Sequence, residues 1–498
     1  MADYNVIVIG AGCGGLSVAS QMAKQGRKTL LLEQSELIGG CCSTYESNGY
    51  KFDLGASIIE DPASIDRLFN RLGTSIFKEV DLISCDPTYT VITRNGTKMK
   101  FPSSIEETAK EIAKVSPEDV KGFHDFCEKF KGFLDGAKEF FYMPANNLSD
   151  MMEIVKKNPA MGKSLGLIFS SYQDVISKYF KNETVRESLS YQSLFIGLPP
   201  ELCQGLYALI PYLEHGGMYY SKGGMGGIPQ AIKRVGEKLG LEVRTKTPVA
   251  KVIIRNKKAV GVKLEDGTEI SADIIISDIH AKSLYFNLIG EEHLPWIVKA
   301  GLRSYEPSIN APMLYMGVDY KPPLESHHTL FTIPVKDMND YWWNVYEKDG
   351  YAKEPFGIIS WTSGSDPELA PKGHHVLIIT MPPARIRYAG SDWAKEKPAL
   401  IESTIDYLSK KYIPGLKEHV KLAEFATPVD FERRLRIPEG SIYAIRQDFT
   451  STTIFRPSSK SKCIDNLYLV GASTHPGGGV PVTICSGMIV ADMIEKQA

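Results

Sequence analysis

Three glycines set directly behind a short apolar run constrain this chain more than any other feature of it. Residues 5–9 (NVIVI) are apolar and rich in β-branched side chains, and they read as a buried parallel strand. Gly10-Ala11-Gly12-Cys13-Gly14-Gly15 follows at once, with Gly10, Gly12 and Gly15 in the spacing G-x-G-x-x-G. Residues 16–25 then predict a helix with small and apolar residues on its inner side. Residues 28–32 (KTLLL) predict a second strand, ending at Glu33. Each part has a physical task. Gly10 permits the tight turn, Gly12 lets the backbone approach a pyrophosphate, and Gly15 lets helix and sheet pack closely. The helix N-terminus offers free N–H groups and partial positive charge to phosphates. Glu33 stands where a ribose-binding acid is required, and its charge disfavours a 2′-phosphate, which argues against NADP. A glycine-rich turn alone occurs in many proteins. Strand, glycines, helix, strand and acid in this order predict a dinucleotide-binding βαβ unit.

At 498 residues the chain exceeds a single core, so two or three domains are expected. It is 43% hydrophobic, 23% charged and 10% aromatic, an ordinary globular balance. A net charge of -2 gives no reason to expect nucleic acid, yet it leaves open a local basic face toward a membrane. The eight cysteines show neither C-x-x-C pairs nor zinc spacing, which fits reduced thiols in a cytoplasmic protein. No export signal and no long apolar run is read. The chain is therefore expected not to span a bilayer, while remaining free to lie on one.

Residues 75–102 predict strands and turns, with Asn95-Gly96 as a hairpin signal. Residues 104–210 predict mainly helix, broken at Pro144 and Pro199-Pro200. Phe123, Phe126, Phe130, Phe133, Phe140, Phe141 and Tyr142 in that stretch suit a helical core or a greasy tunnel and membrane face. For any single one of them the core is the simpler reading. A second glycine cluster, residues 219–227 (YYSKGGMGG), lacks a preceding parallel strand and a matching acid, so no second nucleotide site is expected. Residues 228–239 predict a helix, 241–254 strand–turn–strand, and 273–277 (DIIIS) a strand of the cofactor sheet. Residues 284–455 predict the larger part of a substrate domain. His327-His328 and His374-His375 are expected on the surface or in turns. Adjacent strand residues point to opposite faces and rarely share an ion, so no metal is expected.

Several segments carry a family resemblance. Gly39-Gly40, just past Glu33, resembles the FAD-binding segment of the monoamine oxidase and phytoene desaturase superfamily. Tyr50-Lys51-Phe52-Asp53-Leu54-Gly55-Ala56-Ser57 resembles the next segment of that family. Thr247-Pro248-Val249 is similar to the one whose valine backbone contacts the adenine. Asn466-Leu467-Tyr468-Leu469-Val470-Gly471-Ala472-Ser473-Thr474-His475-Pro476-Gly477-Gly478-Gly479-Val480-Pro481 is the sharpest match. It resembles the C-terminal signature of bacterial-type phytoene desaturases and related carotenoid oxidoreductases, as do residues 427–432, Phe455-Arg456-Pro457 and the glycines around 223–227. The resemblance runs from residue 4 to about residue 494.

It implies an α/β fold. A Rossmann-like FAD-binding domain of the monoamine oxidase/phytoene desaturase type would take residues 1–74, 220–285 and 460–498. A mixed-sheet substrate domain would take 75–103 and 286–459. A helical subdomain, 104–219, would face substrate entry or the membrane. FAD would be held by the N-terminal turn and its acid: Gly10, Gly12, Cys13, Gly14, Gly15, Glu33 and Gln34. Gly39, Gly40, Cys41, Cys42, Gly55, Ala56, Ser57 and Val249 would follow, and the C-terminal loop would add Gly471, Ala472, Gly479, Val480 and Pro481. The implied substrate is a long apolar isoprenoid or carotenoid drawn from a membrane by a cytoplasmic, peripherally attached enzyme. A hydride would pass from an allylic carbon to flavin N5, with proton loss from the adjacent carbon and quinone or oxygen as electron acceptor.

Glu214 and His215 are proton-acceptor candidates by their place beside the second glycine cluster, although a capped helix end explains both more simply. The family's desaturases often carry Arg where this chain has Cys41-Cys42, and the Gly-Gly-Cys-Cys run is similar to the retinol saturase branch. A cis–trans isomerase and a polyene saturase therefore stay open beside a desaturase. An amine oxidase is opposed by the C-terminal signature. A non-catalytic prenyl-group carrier is opposed by the retained glycines and Glu33.

Overall fold

The computed structural model describes residues 2–136, 139–158, 165–352, 354–386 and 392–497. Its first sheet begins as the glycine motif predicts. Strand β1 (Tyr4–Ile9) leads through the glycine turn into helix α1 (Cys13–Lys24), which returns to β2 (Thr29–Leu32). β1 and β2 are parallel, with Val6 opposite Thr29 and Ile9 opposite Leu32. Later in the chain come α2 (Gly227–Lys238), β3 (Glu242–Arg244), β4 (Val249–Arg255), β5 (Lys258–Leu264) and β6 (Glu269–Ser277). β7 (Leu467–Leu469) and α3 (Val480–Glu495) close the sequence of elements. The strand order is β4-β5-β6-β1-β2-β3, with β7 alongside β6.

β6 does two jobs. Its first residues pair antiparallel with β5, Gly261 opposite Ser271. Its last ones run parallel between β1 and β7, Ser277 facing Ile9 on one side and Leu469 on the other. A fully buried central strand must be apolar on both faces. Accordingly Val6 and Val8 of β1 pack into the core that contains α1, while Ile7 and Ile9 pack on the opposite face with Leu284, Tyr285 and Leu288. α1 lies between α2 and α3. Glycine permits that closeness: a Cβ on Gly487 of α3 would come within 2.6 Å of the Gly14 carbonyl.

The second sheet is mixed, as expected. Its seven strands run in the order Val420–Ala426, Met313–Val318, His375–Thr380, Gly357–Ser360, His328–Phe331, Tyr89–Ile92 and Lys98–Phe101. Each neighbouring pair is antiparallel except His328–Phe331 beside Tyr89–Ile92, which is parallel. Residues 93–97 turn the last hairpin with Gly96 at φ +87°, which explains the Asn95-Gly96 signal. After the strand Lys98–Phe101 the chain continues through the helices Ile105–Val115, Val120–Asp135, Leu148–Lys157, Tyr172–Tyr179 and Glu183–Ser190. Residues 159–164 of the expected helical stretch lie outside the described residues. Among the described residues, no helix is long and apolar enough to cross a membrane.

Candidate active site

A cavity of about 1520 Å³ opens at the carboxyl edge of β1, β2 and β6. This is where an open parallel sheet leaves room for a ligand. Of the residues expected to hold FAD, all but Gly15 and Gly471 line it. Those two pack behind the wall. A Cβ on Gly15 would stand 2.1 Å from the Gly10 carbonyl, and one on Gly471 would stand 2.1 Å from Asp278 Oδ1.

Hydrogen bonds zip the wall together from segments far apart in the chain. Glu33 Oε2 accepts from the Ala11 N–H at 2.8 Å, and its Oε1 from the Ser35 N–H at 2.8 Å. The Gly39 N–H donates to the Ala11 carbonyl at 2.7 Å, pinning the second glycine segment against the first. Gly39 and Gly40 have φ of +103° and +57°, a backbone that side chains rarely adopt. A Cβ on Gly40 would meet nothing nearer than Gly12 Cα at 3.8 Å, so a side chain there would project into the cavity. The Ala56 N–H donates to the Cys41 carbonyl at 3.0 Å, and a Cβ on Gly55 would lie 2.9 Å from that same oxygen. Burial pushes the Cys41 thiol up to about 11, so it stays protonated.

Residues not named among the expected FAD contacts complete the wall. Asp278 follows β6 and lines the cavity, and burial raises its carboxyl to about 7. Arg434 also lines it; its Nη2 donates to the Ser43 hydroxyl at 2.8 Å. His280 and His475 line it as neutral rings, held by burial at about 3 and about 4. Arg456 is buried behind the C-terminal loop. Its Nη2 donates to the Ala472 carbonyl at 2.6 Å and its Nη1 to the Ser451 carbonyl at 3.1 Å. Desolvation lowers it to about 10. The signal for it was present, as the middle residue of Phe455-Arg456-Pro457.

Two expectations need correction. His327 and His328 are not on the surface: they are 5% and 3% exposed at the start of a central strand. Ser57 explains them. His327 Nε2 bonds its carbonyl at 3.0 Å, and His328 Nε2 bonds its hydroxyl at 2.9 Å. Desolvation holds both rings below their usual value, hence neutral. Among the described residues, no cluster could hold a metal ion. Glu214 and His215 do not reach the cavity wall either. Glu214 is buried in the protein, where it accepts from the Tyr89 hydroxyl at 2.7 Å, and His215 Nδ1 bonds the Ser103 carbonyl at 3.2 Å. Glu60 does line the cavity, as do Asp61 and Glu139, and burial and neighbouring Asp61 raise the Glu60 carboxyl to about 7.

Beyond the glycine wall the cavity is apolar. Ile58, Tyr191, Leu194, Phe195, Leu206 and Leu213 line it, and Phe449 and Phe455 stand where it meets the surface, 48% and 51% exposed. The aromatic residues noted in the sequence divide. Phe133, Phe140, Phe141 and Tyr142 line the cavity. Phe123, Phe126 and Phe130 are plain core, with the rings of Phe126 and Phe130 at 4.8 Å.

A glycine-walled cleft at a parallel sheet edge, an acid at the end of the second strand and an adjoining apolar chamber together define a flavoprotein oxidoreductase that uses FAD. The chain belongs to the family described as flavin containing amine oxidoreductase, whose model matches residues 13–494. It is 29% identical over 495 residues to the phytoene desaturase (lycopene-forming) of Pantoea ananas, covering 98% of this chain and 99% of that one. It is 30% identical to the phytoene desaturase (neurosporene-forming) of Rhodobacter capsulatus, covering 98% and 93%. Among solved structures, a putrescine oxidase variant superposes with a TM-score of 0.67 at 14% identity, covering 99% of each chain; it shares the fold.

Proposed function

We propose that this protein is an FAD-dependent carotenoid desaturase of the phytoene type. The observation that carries the reading is the continuity of the cavity, from the glycine wall through an apolar chamber to the surface aromatics. A short amine would need polar recognition. A long hydrocarbon needs length, apolar lining and exclusion of water. The named relatives act on such hydrocarbons and match the chain end to end. Under this reading residues 1–74, 220–285 and 460–498 carry FAD, 75–103 and 286–459 the substrate, and 104–219 the entry side. Glu33 receives the adenosine ribose, Val249 the adenine, Gly12, Cys13 and Gly14 the pyrophosphate, and Gly39–Ser57 with Ala472–Pro481 the flavin end.

FAD supplies a hydride acceptor for a carbon that bears no heteroatom. The chain's residues do the rest. The apolar walls hold the polyene against the glycine wall and exclude water. Glu60 takes the proton from the carbon next to the one that loses hydride. Poised near 7, its carboxylate can accept and release that proton at working pH. Quinone or oxygen reoxidises the cofactor.

The same reading places the protein on a membrane surface. Leu148, Met152 and Val155 recur on one face of the helix Leu148–Lys157 and are 72%, 69% and 46% exposed. Met151 of that helix lines the cavity, as do Phe449 and Phe455. The Phe169 ring lies tilted beside that of Phe449, with centroids 5.7 Å apart. Apolar side chains exposed around a cavity mouth suit a lipid surface that delivers the substrate. The deciding experiment incubates the purified protein with phytoene in liposomes and analyses the products by chromatography and absorbance. New conjugated double bonds support desaturation. Geometric isomers alone, or loss of conjugation with a reductant present, would replace it by isomerase or saturase activity.

A further inference from the structure

The carboxylate of Asp278 sits where the N-terminal and C-terminal halves of the glycine wall meet. A Cβ built on Gly12 would come 2.4 Å from its Oδ2, one on Gly14 2.8 Å from its Oδ1, and one on Gly15 3.1 Å from its Oδ2. From the other half, a Cβ on Gly471 would stand 2.1 Å from Oδ1. Four glycines on two distant segments thus make room for one carboxylate. Its backbone is fixed too, the Asp278 N–H donating to the Ile9 carbonyl at 2.9 Å. The amides of Gly15 and Gly12 face the carboxylate. Amides of this turn, at the N-terminus of α1, are also what the motif offers a pyrophosphate.

Apart from those amides, no charged side chain among the described residues helps an anion there. Glu33 at the end of β2 repels it. His280, two residues on, is neutral, and so is the Cys41 thiol across the cavity. Arg434 acts on Glu33 and Cys41, and no cation figures among the groups that shift Asp278. An ionised Asp278 and a pyrophosphate are therefore two anions competing for one set of amides.

We propose that FAD binds to the form of this protein in which Asp278 is neutral, so that loading the cofactor takes up a proton at this carboxyl. The inference rests on the reading that FAD occupies the glycine wall. Its consequence follows from linkage: above the free carboxyl's midpoint, each pH unit weakens FAD affinity toward tenfold. With burial placing that midpoint at about 7, the loss falls between neutral and alkaline pH.

The test uses the full-length chain freed of flavin. FAD is titrated at several pH values from 6 to 8.5 (roughly the range bracketing that midpoint) by quenching of flavin fluorescence. Calorimetry in two buffers of different ionisation enthalpy counts protons. The expected result for the wild type is flat affinity below neutrality, a fall above it, and net uptake approaching one proton near pH 8. Asp278→Asn, neutral and of equal size, should bind FAD with flat pH dependence and more tightly than wild type at alkaline pH. Wild-type binding with no proton uptake overturns the inference while leaving the cofactor reading intact, and needs no variant to fold. A chain that binds no FAD at any pH overturns the cofactor reading itself, and this inference with it.

Discussion

Two clusters of four glycines each, in residues 10–15 and 219–227, come to opposite ends in this fold. The first leaves a parallel strand, so its turn opens at the carboxyl edge of the sheet and onto the cavity. The second leaves the strand Met218–Ser221, whose partner Leu82–Cys85 is antiparallel, and folds back onto the hairpin Thr44–Ser47 with Tyr50–Asp53. Gly223, Gly224, Gly226 and Gly227 stand outside the cavity wall. There the glycines serve a buried carboxylate of the protein itself. Asp53 accepts from the Thr44 hydroxyl at 2.6 Å, the Tyr220 hydroxyl at 2.5 Å and the Met225 N–H at 2.8 Å. A Cβ on Gly224 would lie 2.4 Å from Thr44 Oγ1. Glycine licenses close approach in both places. The first cluster makes room for Asp278 and the second for Thr44 and Asp53, and strand direction decides which of them also opens onto the cavity.

Substitutions can break this comparison. The largest effect is expected from Gly15→Val, whose side chain would drive into the Gly10 carbonyl. The purified protein should lack the visible flavin bands. Gly224→Val should keep them while lowering the melting temperature, and flavin loss at an unchanged melting temperature would erase the distinction.

Asp53→Ala should cost about 3 kcal/mol in denaturant unfolding, because two hydroxyls and one amide lose a buried acceptor. A pH series sharpens the point. Burial raises the Asp53 carboxyl from 3.8 to about 6, so the folded state holds its proton more tightly than the unfolded chain. Its contribution is full below about pH 4 and is lost as pH rises through 6, up to roughly 3 kcal/mol. Asp53→Asn should lack that part of the slope. Identical slopes for variant and wild type would show that Asp53 does not titrate in this window.

Glu60→Gln should leave flavin content unchanged and reduce kcat by about 100-fold, the usual worth of a positioned base. Wild-type turnover should rise with pH through about 7 and then level, since the carboxylate is the working form. An unaltered pH profile in the variant would move the proton acceptor elsewhere. The smallest effect is expected from Leu148→Ser with Met152→Ser. Liposome flotation should weaken by about 1–3 kcal/mol, with solution stability unchanged because both side chains are already exposed.

Much of the cofactor region was legible in the sequence. The βαβ unit lies where the glycines and β-branched runs put it, and α1 begins only a few residues ahead of its expected start. β4 and β6 end within a residue of their predicted ends for the same reason: backbone conformation there is dictated by residues within a turn or two. The chemistry of the wall was less legible. Glu60 sits in a segment read for its glycine and serine neighbours and was not singled out, whereas Glu214, named for its place beside the second glycine cluster, is buried against Tyr89 and off the cavity wall.

By itself the sequence determined the parallel strands, the tight turns and the surface against which a dinucleotide can lie, because those depend on local sterics and alternation. Only the tertiary structure decided which titratable groups face the cavity and in what protonation state. Asp278 stands beside Gly12 and Gly471 through contacts spanning hundreds of residues. Desolvation is a property of everything packed around a group, and no local stretch of chain records it.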